Sequence, residues 1–133
     1  MILVPDASAA VEYLLLTAIG LRVGDLLASA ELVVPELLDA EVLAVLRREV
    51  RTGRLPERRA AEAVDDLRDW GVERLRHHDL LIDAWWSLRG HLTVYDALYV
   101  AAARVRHAAL VTADGRLARA PALGVVVHDV RLG

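Results

Sequence analysis

Ile2-Leu3-Val4-Pro5-Asp6-Ala7-Ser8 is a short apolar run closed by an acid and a small hydroxyl, and a helix-patterned run from Ala9 to Leu16 follows it. A brief, fully apolar strand next to a helical pattern suits a strand buried on both faces, as in a parallel sheet. In such sheets ligands bind beyond the carboxyl ends of the strands, which places Asp6 at the rim where chemistry is done. The rest of the chain is read outward from that carboxylate.

The pattern of short strand and amphipathic helix repeats. Glu31 to Pro35 reads as a second strand and Glu36 to Arg51 as a strong amphipathic helix ended by Gly53. Ala7 to about Thr17 and Leu21 to about Ser29 read as helices, with Gly20 as the break between them. Pro56 opens a helix over 57–70, Val72 to Leu75 is a weak strand, and Asp79 to Arg89 is helical up to Gly90. Tyr95 to His107 is the next helix. Strand Ala109–Thr112, an Asp114-Gly115 turn, a short helical segment and strand Val125–Val127 complete the chain. Strands alternating with helices through short links predict one α/β domain spanning residues 1–133, built on a parallel sheet of about five strands.

Composition removes several chemistries. At 133 residues the chain is long enough for a substantial core, and its 56% apolar content contains no run long enough to span a membrane. Cysteine is absent, so disulfides, thiol catalysis and cysteine zinc sites are excluded. Lysine is absent too, and all sixteen basic residues are arginine, which removes Walker-type phosphate binding and Schiff-base chemistry. No basic segment precedes an apolar leader, so a cytoplasmic protein is expected. A net charge of −3 gives no global footprint for nucleic acid, and any such contact must come from a local patch.

Four carboxylates are candidates, and each has an ordinary structural alternative. Asp6 could simply cap the helix that follows it. Glu41 lies at the margin of the stripe marked by Leu38, Val42, Val45 and Leu46, where a solvated flank residue is the plain reading. Asp96 fits a capping box with Thr93, and Asp114 belongs to a common Asp-Gly turn. Joint placement changes the weighing. Asp6 and Asp114 follow strands, Asp96 begins a helix, and Glu41 stands one turn into another, so all four can meet at the sheet edge where strands end and helices begin. Clustered carboxylates repel and raise one another's pKa. A hard divalent cation, Mg²⁺ or Mn²⁺, resolves that repulsion with oxygen ligands. Ser8 and Thr112 are placed to orient the acids by hydrogen bonds.

Residues 47–59 hold six arginines against two glutamates, a local excess of four positive charges. Arg48 follows Glu41 by seven residues, on the same helix face about 10 Å along the axis, and is the candidate phosphate contact. The others fit a solvated helix end that complements the macrodipole. The five histidines lack a metal-ligand spacing, and Ser8 has no histidine–aspartate partners for a hydrolase triad. Trp70, Trp85 and Trp86 read as core or dimer contacts.

Asp6-Ala7-Ser8 after an N-terminal strand resembles the opening of PIN-domain nucleases. Leu38-Asp39-Ala40-Glu41-Val42, Asp96-Ala97-Leu98-Tyr99 and Thr112-Ala113-Asp114 resemble their remaining acidic motifs, in the same order over nearly the whole chain. Length and motif order are similar to the VapC type, the toxin half of bacterial toxin–antitoxin pairs. The resemblance implies a three-layer α/β/α sandwich and a metal-dependent endoribonuclease in which Asp6, Glu41, Asp96 and Asp114 hold Mg²⁺ or Mn²⁺. It also implies an RNA substrate, a homodimer and inhibition by a VapB-type antitoxin. Pro5 and Ala44 depart from the family pattern: proline must take a strand end, and alanine removes a polar neighbour of the helical acid. A PIN-like module that binds RNA or antitoxin without cleaving is the alternative. A phosphoacceptor domain shares acids at strand ends but needs the lysine this chain lacks.

Overall fold

The computed structural model describes residues 1–88, 92–120 and 124–132. Five strands are found: β1 Ile2–Pro5, β2 Glu31–Pro35, β3 Glu73–Leu75, β4 Ala109–Thr112 and β5 Val127–Asp129. All pair in parallel in the order β3-β2-β1-β4-β5. The helices are α1 Ala7–Leu14, α2 Ala18–Leu27, α3 Leu37–Arg51, α4 Glu57–Asp69, α5 Leu81–Ser87, α6 Val94–Val105 and the single turn α7 Gly115–Ala118.

This strand order carries the functional argument. From β1 the chain builds to one side through β2 and β3, then returns to the other side of β1 to lay down β4 and β5. The reversal leaves a crevice between the ends of β1 and β4, the position where open α/β sheets bind ligands. Register fixes it: Pro5 stands opposite Val111, and the Asp6 amide donates to the Val111 carbonyl at 2.9 Å.

Apolar residues on neighbouring strand positions serve opposite faces, as the period-two geometry of a strand requires. Val4 and Leu110 pack into a larger core with Leu38, Val42 and Leu46 of α3, Leu67 of α4 and most of α6. Leu3 and Val111 pack on the other side with Ala9, Val23, Leu27 and Val130. The result is the expected three-layer arrangement. Helix α6 is buried on every side from Ala97 to Ala103, in keeping with its almost unbroken apolar sequence.

Several local expectations change. Gly20 lies inside α2, which starts at Ala18 under a Thr17 cap. A Cβ at Gly20 would stand 1.9 Å from the Glu12 carbonyl oxygen, so glycine here permits close packing of α2 on α1. The last strand runs over Val127–Asp129, two residues later than its most apolar triplet, because pairing with β4 sets its position. A 3-10 turn over His77–Leu80 precedes α5, and the expected end of that helix at Arg89 and Gly90 lies outside the described residues. Pro5 and Pro35 are the last residues of their strands, as a residue without an N–H demands.

Candidate active site

Asp6 leaves the end of β1 and is buried, 6% exposed. Its Oδ1 accepts from the Ala9 amide at 3.0 Å, so it does cap α1. The same oxygen accepts from the Ser8 hydroxyl at 2.6 Å, and Oδ2 accepts from the Thr112 hydroxyl. Each hydroxyl oxygen in turn accepts a backbone amide of the loop after β4: Ser8 from Ala113 and Thr112 from Asp114, both at 2.9 Å. With both hydroxyl protons committed to Asp6, the 3.3 Å approach of Ser8 to Thr112 is a contact between acceptors. Ser8 and Thr112 thus tie the loop that carries Asp114 to the Asp6 carboxylate. Capping and clustering prove compatible.

Burial pushes the Asp6 carboxyl above its ordinary range, against the lowering effect of the Ser8, Thr112 and Ala9 hydrogen bonds, and the charge of Asp114 adds to the rise. Glu41 is half-buried on α3 and is also raised, first by burial and then by the charge of Asp96. Opposing this, the Tyr99 hydroxyl donates to Glu41 Oε1 at 2.7 Å. Tyr99 itself is buried, and its phenol is raised well beyond its usual value by burial, by Glu41 and by the charges of Asp6 and Asp96. Asp6 thus feels the charge of Asp114, Glu41 that of Asp96, and Tyr99 those of Asp6, Glu41 and Asp96.

Asp96 and Asp114 occupy the mouth. The Thr93 hydroxyl caps α6 by accepting from the Asp96 amide at 3.0 Å, the N-cap half of the capping box. Asp114 caps α7 through the Arg116 amide at 2.9 Å. The Arg116 guanidinium then joins the two acids: one nitrogen, Nη2, donates to Asp96 Oδ2 at 2.7 Å and to Asp114 Oδ2 at 3.1 Å. Among the described residues no three carboxylates form a ready-made metal cage. The donor set nonetheless fits a hard cation. It is all oxygen, it is like-charged, and its pair at the mouth is already bridged by a positive group.

Three residues that sequence reasoning left without a role stand beside the acids. Tyr99 was visible in principle, because a hydroxyl within the apolar stretch Ala97–Ala103 must find a partner when buried. Arg116 follows Asp96 by 20 positions, and only the β4–α7 turn brings them together. Asp129, at the end of β5 opposite Thr112, reaches the same edge but is engaged by Arg131 through Nη2 at 2.7 Å. The acids near Glu41 are structural: Asp39 pairs with Arg74 at 2.7 Å, and Glu36 accepts from the His77 amide at 3.2 Å. Arg48 is exposed on α3, where Ala44, Arg47, Arg51 and Thr52 line a shallow depression with it.

Comparison with known proteins agrees with this geometry. The family model described as PIN domain matches residues 3–123. Ribonuclease VapC1 of Mycobacterium tuberculosis is 42% identical over 131 residues, 96% of this chain and 97% of that protein. Ribonuclease VapC9 of the same organism is 38% identical over 86% of this chain and 87% of its own length. Among solved structures, a chain of VapBC2 from Rickettsia felis, determined bound to a fragment of promoter DNA, superposes with a TM-score of 0.62 at 14% identity. The match covers 96% of this chain and 98% of that one. With the ordered acids, the parallel five-stranded sheet and these relatives all in agreement, the chain belongs to the PIN domain family, on its VapC branch.

Proposed function

We propose that the protein is a metal-dependent endoribonuclease that hydrolyses RNA phosphodiester bonds, with Asp6, Glu41, Asp96 and Asp114 as its acidic centre. One observation supports the reading: hydrogen bonds connect the acids in series, Ser8 and Thr112 tying Asp6 to the loop of Asp114, Arg116 bridging Asp114 and Asp96, and Tyr99 on the helix of Asp96 reaching Glu41. VapC ribonucleases with up to 42% identity over nearly the full length support the RNA substrate.

Asp6, Glu41, Asp96 and Asp114 would hold Mg²⁺ or Mn²⁺, some of them through water. The bound ion would supply positive charge to offset that of the phosphate and would lower the pKa of a water. Ser8 and Thr112 fix the Asp6 carboxylate, so its oxygens do not turn to relieve repulsion. The Tyr99 hydrogen bond favours the ionised form of Glu41 and opposes the effect of its burial. Attack by water on the far side of the leaving oxygen would leave a 5′-phosphate and a 3′-hydroxyl. Arg48, with Arg47 and Arg51 beside it, would hold a neighbouring phosphate of the strand.

The cytoplasm is the proposed location; among the described residues no helix is long and apolar enough to cross a membrane. A VapB-type antitoxin is the proposed inhibitor, by likeness to the VapC relatives. A homodimer is supported by α5, where Leu81, Ile82, Trp85 and Trp86 are each more than half exposed. Sedimentation of Trp85→Glu against the parent chain tests it, and an unchanged mass would exclude this face.

Purified protein incubated with RNA should cleave in Mn²⁺, stop in EDTA and resume when the ion is restored. Asp96→Asn should fold and fail to cleave. Cleavage that persists in EDTA, or in Asp96→Asn, would refute the proposed centre.

A further inference from the structure

Arg116 is the only cation bonded to the acidic centre among the described residues, and its position is specific. A single nitrogen sits 2.7 Å from Asp96 Oδ2 and 3.1 Å from Asp114 Oδ2, between two carboxylates that otherwise face each other across the mouth. The Arg116 backbone amide also holds Asp114 Oδ1, so residue 116 grips both oxygens of that acid. Its side chain is half exposed and stands on a helix of one turn, with open solvent beside it. A divalent cation bridging the same two oxygens, Asp96 Oδ2 and Asp114 Oδ2, would sit about 2.1 Å from each. Nitrogen and ion cannot both occupy that point.

We infer that Arg116 is a built-in, displaceable counter-cation. It offsets one of the two negative charges of the Asp96–Asp114 pair in the absence of metal and must swing out before an ion can load. This rests on the metal-dependent reading above and deepens it. The guanidinium lowers the cost of holding two carboxylates together during folding and storage. It also sets a threshold, because an ion must outcompete a tethered charge at high local concentration. Once released, the side chain remains anchored beside Asp114, at the rim of the centre. Arg131 provides the contrast: it lies over Gly115 and feels Asp114 only at a distance, its hydrogen bonds going to Asp129, so it blocks no metal position.

The test is Mn²⁺ binding to the whole chain by calorimetry at fixed ionic strength, with thermal unfolding in EDTA alongside. Removing one competing charge in Arg116→Gln should tighten Mn²⁺ binding by about tenfold, given a partly solvated pair. The same variant should melt lower than the parent in EDTA and match it in saturating Mn²⁺. Arg116→Lys, which keeps the charge, should bind close to the parent, and Arg131→Gln should not tighten binding. Unchanged or weaker binding by a folded Arg116→Gln would overturn the inference alone. Absence of Mn²⁺ binding by the parent would overturn it together with the metal-dependent reading. A measurement on the unmodified chain guards against a variant that fails to fold. The Arg116 guanidinium Nη–H resonances should be shifted in EDTA and move to the position of a free guanidinium as Mg²⁺ saturates the protein. A resonance indifferent to Mg²⁺ would overturn the inference as well.

Discussion

Tyr99 and Glu41 stand 58 residues apart and are joined by a 2.7 Å hydrogen bond from the phenol to Oε1. The bond crosses from α6 to α3 and lies next to Asp96, which starts the turn of α6 that carries Tyr99. Ala44 gives Glu41 no polar neighbour one turn along its own helix, so orientation comes from another element. A buried phenol whose ionisation is suppressed keeps its proton to donate, and an acceptor-only carboxylate is its natural partner.

Tyr99→Phe removes that donor and little else. Burial and the Asp96 charge then act on Glu41 with less opposition, so its carboxyl rises further. The acid limb of the pH–rate profile should move to higher pH, and cleavage at neutral pH should fall by about 10- to 100-fold. A profile that coincides with the parent's would show that Glu41 needs no help from α6.

Asp6→Asn should trade activity for stability. Because burial raises the Asp6 carboxyl in the fold, the folded chain keeps a proton that the unfolded chain, titrating near 3.8, has already lost. Stability due to this group therefore falls as pH rises from that value through the folded one, and stays reduced above it. Asparagine carries no such penalty, and Thr112 can accept from its amide where it formerly donated. In EDTA the variant should melt a few degrees higher than the parent at pH 7. The gap should close as pH falls towards 4, and cleavage should be lost throughout. A variant that melts lower at pH 7 would mean the Ser8–Asp6–Thr112 arrangement is worth more than the charge costs.

Gly20→Ala probes the fold instead of the chemistry. Its methyl group would meet the Glu12 carbonyl at 1.9 Å, a backbone atom that no rotamer change can move aside. Helix α2 must lift from α1, at a cost of about 3 kcal/mol and a fall in melting temperature of roughly 10 °C. Thermal unfolding by circular dichroism measures it, and a change below one degree would show that the helices can part freely.

The sheet and its acidic rim were legible because they follow from local pattern. Apolar triplets followed by an acid and a helix place Asp6 and Asp114 without knowledge of distant neighbours. What could not be read depends on long-range pairing. The most apolar triplet, Val125–Val127, overlaps the last strand in one residue, because the register against Leu110, Val111 and Thr112 decided the match and carried Asp129 to the rim. Gly20 reads as a break in one dimension and is a contact in three. Arg116 was hidden for the same reason, since no periodicity links a turn arginine to an acid 20 residues earlier.

Arg48 supplies the prediction that bears on substrate. It lies two turns beyond Glu41 on α3, beside Arg47 and Arg51. Arg54 is nearby in sequence, but its charge is answered by Glu49 at 2.8 Å. A phosphate contact releases counterions in proportion to the charge that meets it, so the two arginines should separate cleanly. In an Asp96→Asn background that binds RNA without cutting it, Arg48→Ala should reduce the slope of log affinity against log salt by about 0.7. Arg54→Ala should leave the slope unchanged, because its pairing with Glu49 leaves little charge to offer. Equal effects from both would mean that α3 contributes only a diffuse positive field and that the strand follows another path from the acids.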